Sequence, residues 1–396
     1  MIPYGKQNIA QQDIDAVVAV LQSDFLTQGP VVPQFEQAVA RYCQAPHAVA
    51  VNSATSALHV ACMALDVTQN SLVWTVPNSF VASANCALYC GASVDFVDID
   101  ETSGNLCVLA LAEKLRHAQE TGRLPDVVIP VHFAGQSCDM EAIAKLARQY
   151  GFKIIEDASH AIGGRYQSNP VGHCDYSDIC VFSFHPVKII TSAEGGMAVT
   201  QNEALAQRMR SLRSHGITAD PALLTEPSHG PWYYQQQALG FNYRMTDLHA
   251  ALGLSQLAQL DQFVATRNKL AQHYDALFAQ VEGVTPLAQS DNQYSAYHLY
   301  VVRIADSTRP LHEYLVTQLR AQGVFAHVHY IPIYLQPYYQ QQGFKAGYCP
   351  ASEAYYHSAI TLPLFPSLTA PQQQQVVDTL SQLLSDWQHT QTALKE

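Results

Sequence analysis

The amino-acid sequence predicts an α/β protein: a large three-layer α/β/α unit with a mainly parallel sheet, followed by a smaller C-terminal α+β unit. Three observations carry this expectation. Short strand-like runs alternate with helix-periodic stretches through the first half of the chain. Those runs are apolar on both faces, as strands covered by helices on each side must be. Beyond about residue 260 the alternation gives way to a sparser strand and helix pattern.

Helical periodicity runs through residues 13–21 and 32–42, and an apolar strand follows at 48–51. The polar turn Asn52-Ser53-Ala54-Thr55-Ser56 then leads into a helix opening near Ala57. Strands are expected at 71–76, 93–98, 126–131, 152–156 and 179–184, with helices at 81–89, 109–118 and 140–150. Gly195-Gly196 marks a tight turn into a return strand ending at Thr200. A long helical region covers 245–274. Beyond it come a strand at 297–304, a helix at 311–322, a strand at 324–329 and a last helix at 371–387. The expected domains are therefore 1–260 and 261–396.

Of the 396 residues 48% are hydrophobic and 14% charged, enough to bury a large core. The net charge of −12 argues against a nucleic-acid partner and means that any phosphate site must be built locally, from backbone N–H groups and a few placed side chains. The N-terminus lacks a basic stretch followed by an apolar run, and no stretch is long enough to span a bilayer, so no membrane association is expected. Nine cysteines without a C-x-x-C pair read as thiols in a reducing cytoplasm, with no metal. No dinucleotide fingerprint, P-loop, G-x-S-x-G elbow or H-E-x-x-H pair is present.

Four segments carry chemistry. Lys188, one of only eight lysines, follows a buried strand between apolar neighbours and a Gly-Gly turn. Burial disfavours the charged amine, and a neutral amine can form a Schiff base with an aldehyde. The strand ending Ile154-Ile155-Glu156-Asp157 places a carboxylate where ligands bind in open α/β sheets. Asp157 there serves either as a helix N-cap or as the partner that keeps a pyridoxal 5′-phosphate ring nitrogen protonated; His160, three residues on, can reach the phenolic oxygen of that cofactor. The turn at Ala54 and Thr55, helped by the Ser183 hydroxyl, offers donors to a phosphate or caps an ordinary helix. Phe80 follows a strand and either stacks on a pyridine ring or joins the core.

The motifs N-S-A-T-S-A, P-x-S-F-V-A-S-A-N, E-D-A-S-H-A, F-S-F-H-x-x-K-x-I-T-x-x-E-G-G and G-x-N-Y-R-M-T-D together resemble the DegT-type sugar aminotransferases, over nearly the whole chain. The resemblance implies the fold type I aminotransferase architecture, a homodimer, and pyridoxal phosphate held as a Schiff base on Lys188. Asp157 would pair with the ring nitrogen, His160 would lie near the cofactor oxygen and Phe80 would cover the ring. Ala54, Thr55 and Ser183 would contact phosphate or substrate, and Asn242 would reach into the neighbouring subunit's site. Retention of Lys188, where some relatives carry histidine and dehydrate, favours transamination.

Finer features are similar to the C4 aminotransferases of pseudaminic acid biosynthesis: Ile2-Pro3-Tyr4, Leu26-Thr27-Gln28-Gly29-Pro30, Arg213-Ser214-His215-Gly216-Ile217 and the segment from His327 to Tyr334. That similarity implies a UDP-linked 4-keto-6-deoxy sugar as substrate and L-glutamate as amino donor. Tyr4, Asp24, Phe25, Leu26, Thr27, His327, Val328, His329 and Tyr330 would contact the sugar nucleotide. The two histidines also read as a satisfied strand-end pair, and Arg244 either binds a carboxylate or forms a structural ion pair. The alternatives are an aminotransferase for another nucleotide keto-sugar, and a non-catalytic relative that binds the cofactor.

Overall fold

A computed structural model describes residues 1–393. The expected C-terminal domain runs to residue 396, so its last three residues lie outside those described. Seven strands form the central sheet: His47–Val51 (β1), Leu72–Thr75 (β2), Ser93–Phe96 (β3), Val127–Ile129 (β4), Lys153–Asp157 (β5), Ile179–Ser183 (β6) and Gly196–Thr200 (β7). Their order is β1-β7-β6-β5-β4-β2-β3. Pairs β2–β3, β2–β4, β4–β5 and β5–β6 are parallel, while β7 runs antiparallel to both β1 and β6.

Burial on both faces explains why the strands read as unbroken apolar runs. Val49 and Val51 pack in one core with Leu58 and Val60, and Ala48 and Ala50 face the other way onto Phe35 and Val39. The helices that cover the sheet begin where local chemistry directs. Ser53 caps Ala54–Ala64 by accepting from Ser56 N–H, and Asp139 caps Met140–Tyr150, which ends at the left-handed Gly151.

The expected helix over 245–274 is two helices, Asp247–Leu257 and Leu260–Phe278. The break lets the second helix serve two cores. Leu260, Phe263 and Val264 pack with Phe35 and Phe184, while Ala271, Tyr274 and Phe278 pack in the C-terminal unit. The boundary expected at 260 thus falls at the start of a helix shared by both units. That unit is a three-stranded antiparallel sheet, Val284–Pro286, Tyr300–Ile304 and Ala359–Leu362, covered by Arg309–Ala321 and Ala370–Ala393.

Two expected strands differ. The strand expected from 297 starts at Tyr300, because Tyr297 adopts a left-handed backbone (φ 46°) and the chain turns there. Residues 324–329 form no strand; Val324 bridges Ile2 and His327 bridges Thr361, and the chain then leaves the sheet. The N-terminus is built into this unit: Ile2 N–H donates to the Gly323 carbonyl (2.7 Å), Phe325 N–H to Ile2 (2.9 Å) and Leu364 N–H to Tyr4 (3.0 Å). Among the described residues no helix is long and apolar enough to cross a membrane.

Candidate active site

A cavity of about 360 Å³ opens at the carboxyl ends of the central strands, where β2, β4, β5 and β6 deliver Phe80, Val131, Asp157 and Ser183 to its wall. Lys188 lines it from a tied loop. Ser192 N–H and the Thr191 hydroxyl both donate to the Phe184 carbonyl (3.0 Å each), Phe184 N–H donates to Gly195 (2.9 Å), and Ile189 and Ile190 anchor the loop in the core. Burial lowers the Lys188 amine to about 8, with the Asp157 carboxylate pulling weakly the other way. A useful fraction of this amine is therefore neutral near neutral pH.

The pleat of β5 separates the two carboxylates that end it. Glu156 faces His132 (2.6 Å) on one side, also accepts from the Ser177 hydroxyl, and is absent from the cavity wall. The other ring nitrogen of His132 accepts from Cys138 N–H (3.1 Å), so this pair is fully partnered. Asp157 faces the cavity and is buried. Its carboxylate accepts from the hydroxyls of Ser83 and Ser159 (2.6 Å each) and from Ser159 N–H (3.1 Å).

Ala54 and Thr55 open the helix over the cavity, where the first-turn N–H groups have no intrahelical acceptor. Ser183 lines the same wall. The turn rests on β7: a Cβ on Gly196 would lie 2.6 Å from the Ala54 nitrogen and closer still to the Ser53 carbonyl oxygen, so only glycine permits this approach. Phe80, 61% exposed, presents its ring at the cavity rather than in the core.

The opposite wall is aromatic. Tyr330 and His160 are 3.2 Å apart, hydroxyl to Nε2, and His160 packs on His298 with ring centroids 4.4 Å apart. Burial, then the nearby Lys188, holds both imidazoles well below the usual histidine range, so they are neutral. The Nδ1 atoms of both are buried without a partner. His327 and His329 stack at 4.5 Å and both meet the Tyr4 ring. His329 is bonded to the Thr361 hydroxyl (2.9 Å), and burial followed by His327 and Lys188 drops it to about 3.

The structure thus gathers Lys188, Asp157, Ala54, Thr55, Phe80, His160, Ser183, Tyr4, His327, His329 and Tyr330 around one cavity. Val328 is next to this wall without lining it. Asp24, Phe25, Leu26 and Thr27 are exposed and do not line the cavity; Asp247 N–H donates to Leu26 (3.0 Å). Asn242 is exposed on a loop whose Tyr243 carbonyl accepts from Asn52 N–H (2.8 Å), beside the Ala54 turn but outside the cavity. Sequence reasoning missed Ser159, His185, Glu194 and His298, all of which line it. The first three lie inside motifs already singled out; His298 carried no signal of its own.

These features suit pyridoxal phosphate: a lysine of lowered basicity, a buried carboxylate held by hydroxyls, free N–H groups on a turn that only glycine can back, and two imidazoles with an unpartnered nitrogen among the residues lining the same cavity. Comparisons with known proteins agree. The profile of the DegT/DnrJ/EryC1/StrS aminotransferase family matches residues 7–381. The chain is 36% identical over 387 residues to the spore coat polysaccharide biosynthesis protein SpsC of Bacillus subtilis, covering 97% of both. It is 36% identical over 385 residues to the UDP-4-amino-4,6-dideoxy-N-acetyl-beta-L-altrosamine transaminase of Campylobacter jejuni, covering 97% of this chain and 98% of the relative. The solved structure of Helicobacter pylori PseC, an aminotransferase of pseudaminic acid biosynthesis, superposes with a TM-score of 0.88 at 31% identity, over 97% of this chain and 99% of that one. The chain belongs to the DegT/DnrJ/EryC1/StrS family and is a pyridoxal-phosphate-dependent aminotransferase of fold type I.

Proposed function

We propose that this enzyme transfers an amino group from L-glutamate to C4 of a UDP-linked 4-keto-6-deoxy sugar. The substrate is UDP-2-acetamido-2,6-dideoxy-β-L-arabino-hexos-4-ulose, and the product is the 4-amino sugar used for pseudaminic acid. The observation that carries the reading is the amine of Lys188, lowered to about 8 by burial, facing the same cavity as Asp157. The Campylobacter transaminase and the PseC structure support the choice of sugar. The equal identity to SpsC supports a second reading, in which the same chemistry acts on another nucleotide keto-sugar.

Bound pyridoxal phosphate supplies an electron sink for the carbanion formed when the donor's α-proton leaves. Lys188 would hold the cofactor and, as an amine of lowered basicity at the cavity wall, would take up and return the donor's α-proton. Asp157 would hold the proton on the ring nitrogen. The Ala54 and Thr55 N–H groups with the Ser183 hydroxyl would bind the phosphate, Phe80 would cover the ring and His160 would lie near the phenolic oxygen. Tyr4, Asp24–Thr27 and the segment His327, Val328, His329 and Tyr330 contact the sugar nucleotide.

The exposure of Asn242 and of Asp24–Thr27 supports a homodimer in which these residues complete the partner's cavity. Arg244 forms no ion pair among the described residues, which favours a carboxylate of the donor as its partner. The division into 1–260 and 261–396 and a cytoplasmic setting belong to the same proposal.

The test is mass spectrometry of the product formed from this UDP-4-keto sugar and L-glutamate, with Lys188→Ala as control. The amino sugar is expected with the native enzyme, and turnover by the variant should fall by at least about 10³-fold. Conversion of a different keto-sugar alone would replace the substrate assignment, and wild-type turnover by the variant would end the mechanism.

A further inference from the structure

Among the described residues, every side-chain hydrogen bond to the Asp157 carboxylate comes from a serine. Ser159 serves one oxygen through its hydroxyl and its N–H. The other oxygen is served by Ser83 alone (2.6 Å), and the Ser83 hydroxyl is itself 2.7 Å from that of Ser79. Ser83 is fully buried on the helix Ala82–Tyr89, and Ser79 borders the cavity. Ser83 N–H bonds to the Phe80 carbonyl (3.2 Å), so one short segment delivers both the exposed ring of Phe80 and the hydroxyl on Asp157. The titratable groups around the carboxylate are Lys188, His160, Tyr330 and Cys180, and none of them hydrogen-bonds to it.

We propose that Ser83, backed by Ser79, is a positioning residue that sets how firmly Asp157 leaves the proton on the cofactor's ring nitrogen. The inference rests on the placement of Asp157 against that nitrogen. A hydrogen bond to a carboxylate stabilises its charged form. The hydroxyl that Ser83 donates thus favours the arrangement in which the shared proton stays on the ring. Without it the carboxylate becomes the stronger base and draws that proton toward itself. A less cationic ring withdraws fewer electrons, so the nitrogen linking Lys188 to the cofactor holds its own proton more tightly, and the donor's α-proton becomes harder to remove.

The experiment is a pH titration of the visible absorbance of the holoenzyme, with the single-turnover rate with L-glutamate measured alongside. Ser83→Ala is expected to raise the titration midpoint by about half a pH unit or more and to slow the single turnover about tenfold. Ser83→Thr, which restores a hydroxyl, should return both toward wild type, and Ser79→Ala should move the midpoint the same way by less. A merely structural role would slow turnover and leave the midpoint in place. An unmoved midpoint in Ser83→Ala, or an equal shift in Ser83→Ala and Ser83→Thr, overturns the proposal. Should Ser83→Ala not fold, an unmoved midpoint in Ser79→Ala does so. A wild-type holoenzyme whose visible band does not titrate also overturns the proposal, and one with no visible band would instead remove the Lys188 linkage itself.

Discussion

Asp157 reaches the cavity from the end of a buried strand and Lys188 from the tied loop that follows the next one, and each is held by bonds or packing close by. The residues assigned to the sugar nucleotide arrive by less regular routes. Tyr4 comes on an N-terminal arm and His327 to Tyr330 on a segment that only brushes the small sheet, while Asp24–Thr27 sit on an exposed turn outside the cavity lining. The reacting half is tied closely to the central sheet, which suits the proposed covalent link and ring-nitrogen partner, since both tolerate little misplacement. The recognising half is assembled from loops and termini, the places where one scaffold can change substrate while keeping its chemistry.

Three measurements would break or sharpen this contrast. The largest effect concerns the exposed residues outside the cavity lining. Asn242→Ala and Lys188→Ala should each be inactive alone. Mixed and allowed to exchange subunits, they should recover about a quarter of wild-type activity under the proposed shared-site homodimer, since half the dimers would then be mixed and each of those would have one intact site. No recovery, with subunit exchange confirmed, would place Asn242 in its own protomer's function. Next, Gly196→Ala should push the Ser53–Ala54 backbone off the phosphate turn and weaken pyridoxal phosphate binding by about 10- to 100-fold, read by absorbance titration of the apoenzyme. Its thermal stability in the apo state should fall less than its cofactor affinity.

The smallest effect is a pH dependence. Lys188 must be neutral to attack an aldehyde, and its folded-state value is lowered to about 8. The rate at which the apoenzyme takes up the cofactor should rise roughly tenfold per unit below that pH and level off above it. Asp157→Asn removes the charge that favours the ammonium form, so the same profile should shift to lower pH. A profile still climbing through pH 10 would mean a solvated lysine.

The reacting half was largely legible in the sequence, for a physical reason. Strands covered on both faces leave unbroken apolar runs, and the few polar residues at their ends, Asp157 and Ser183 among them, stand out against that background. Which carboxylate of the Glu156-Asp157 pair faces the cavity was assigned from position and is explained by the pleat. His298 escaped because it sits in the run 297–304, which reads as continuous strand. Only the left-handed turn at Tyr297, packed against Gly135, takes it off the sheet, and a tyrosine gives no cue to that backbone. Ser83 escaped because one buried serine in a helix of small residues has no pattern of its own. Residues 324–329 misled for the opposite reason, being strand-like in composition while pairing only singly with Ile2 and Thr361.

The docking of Ile2 between Gly323 and Phe325 ties one wall of the cavity to the C-terminal unit. Tyr4 is held there by backbone bonds to residues more than 300 positions further along the chain, so loosening that unit withdraws an aromatic ring from the cavity without touching the central sheet.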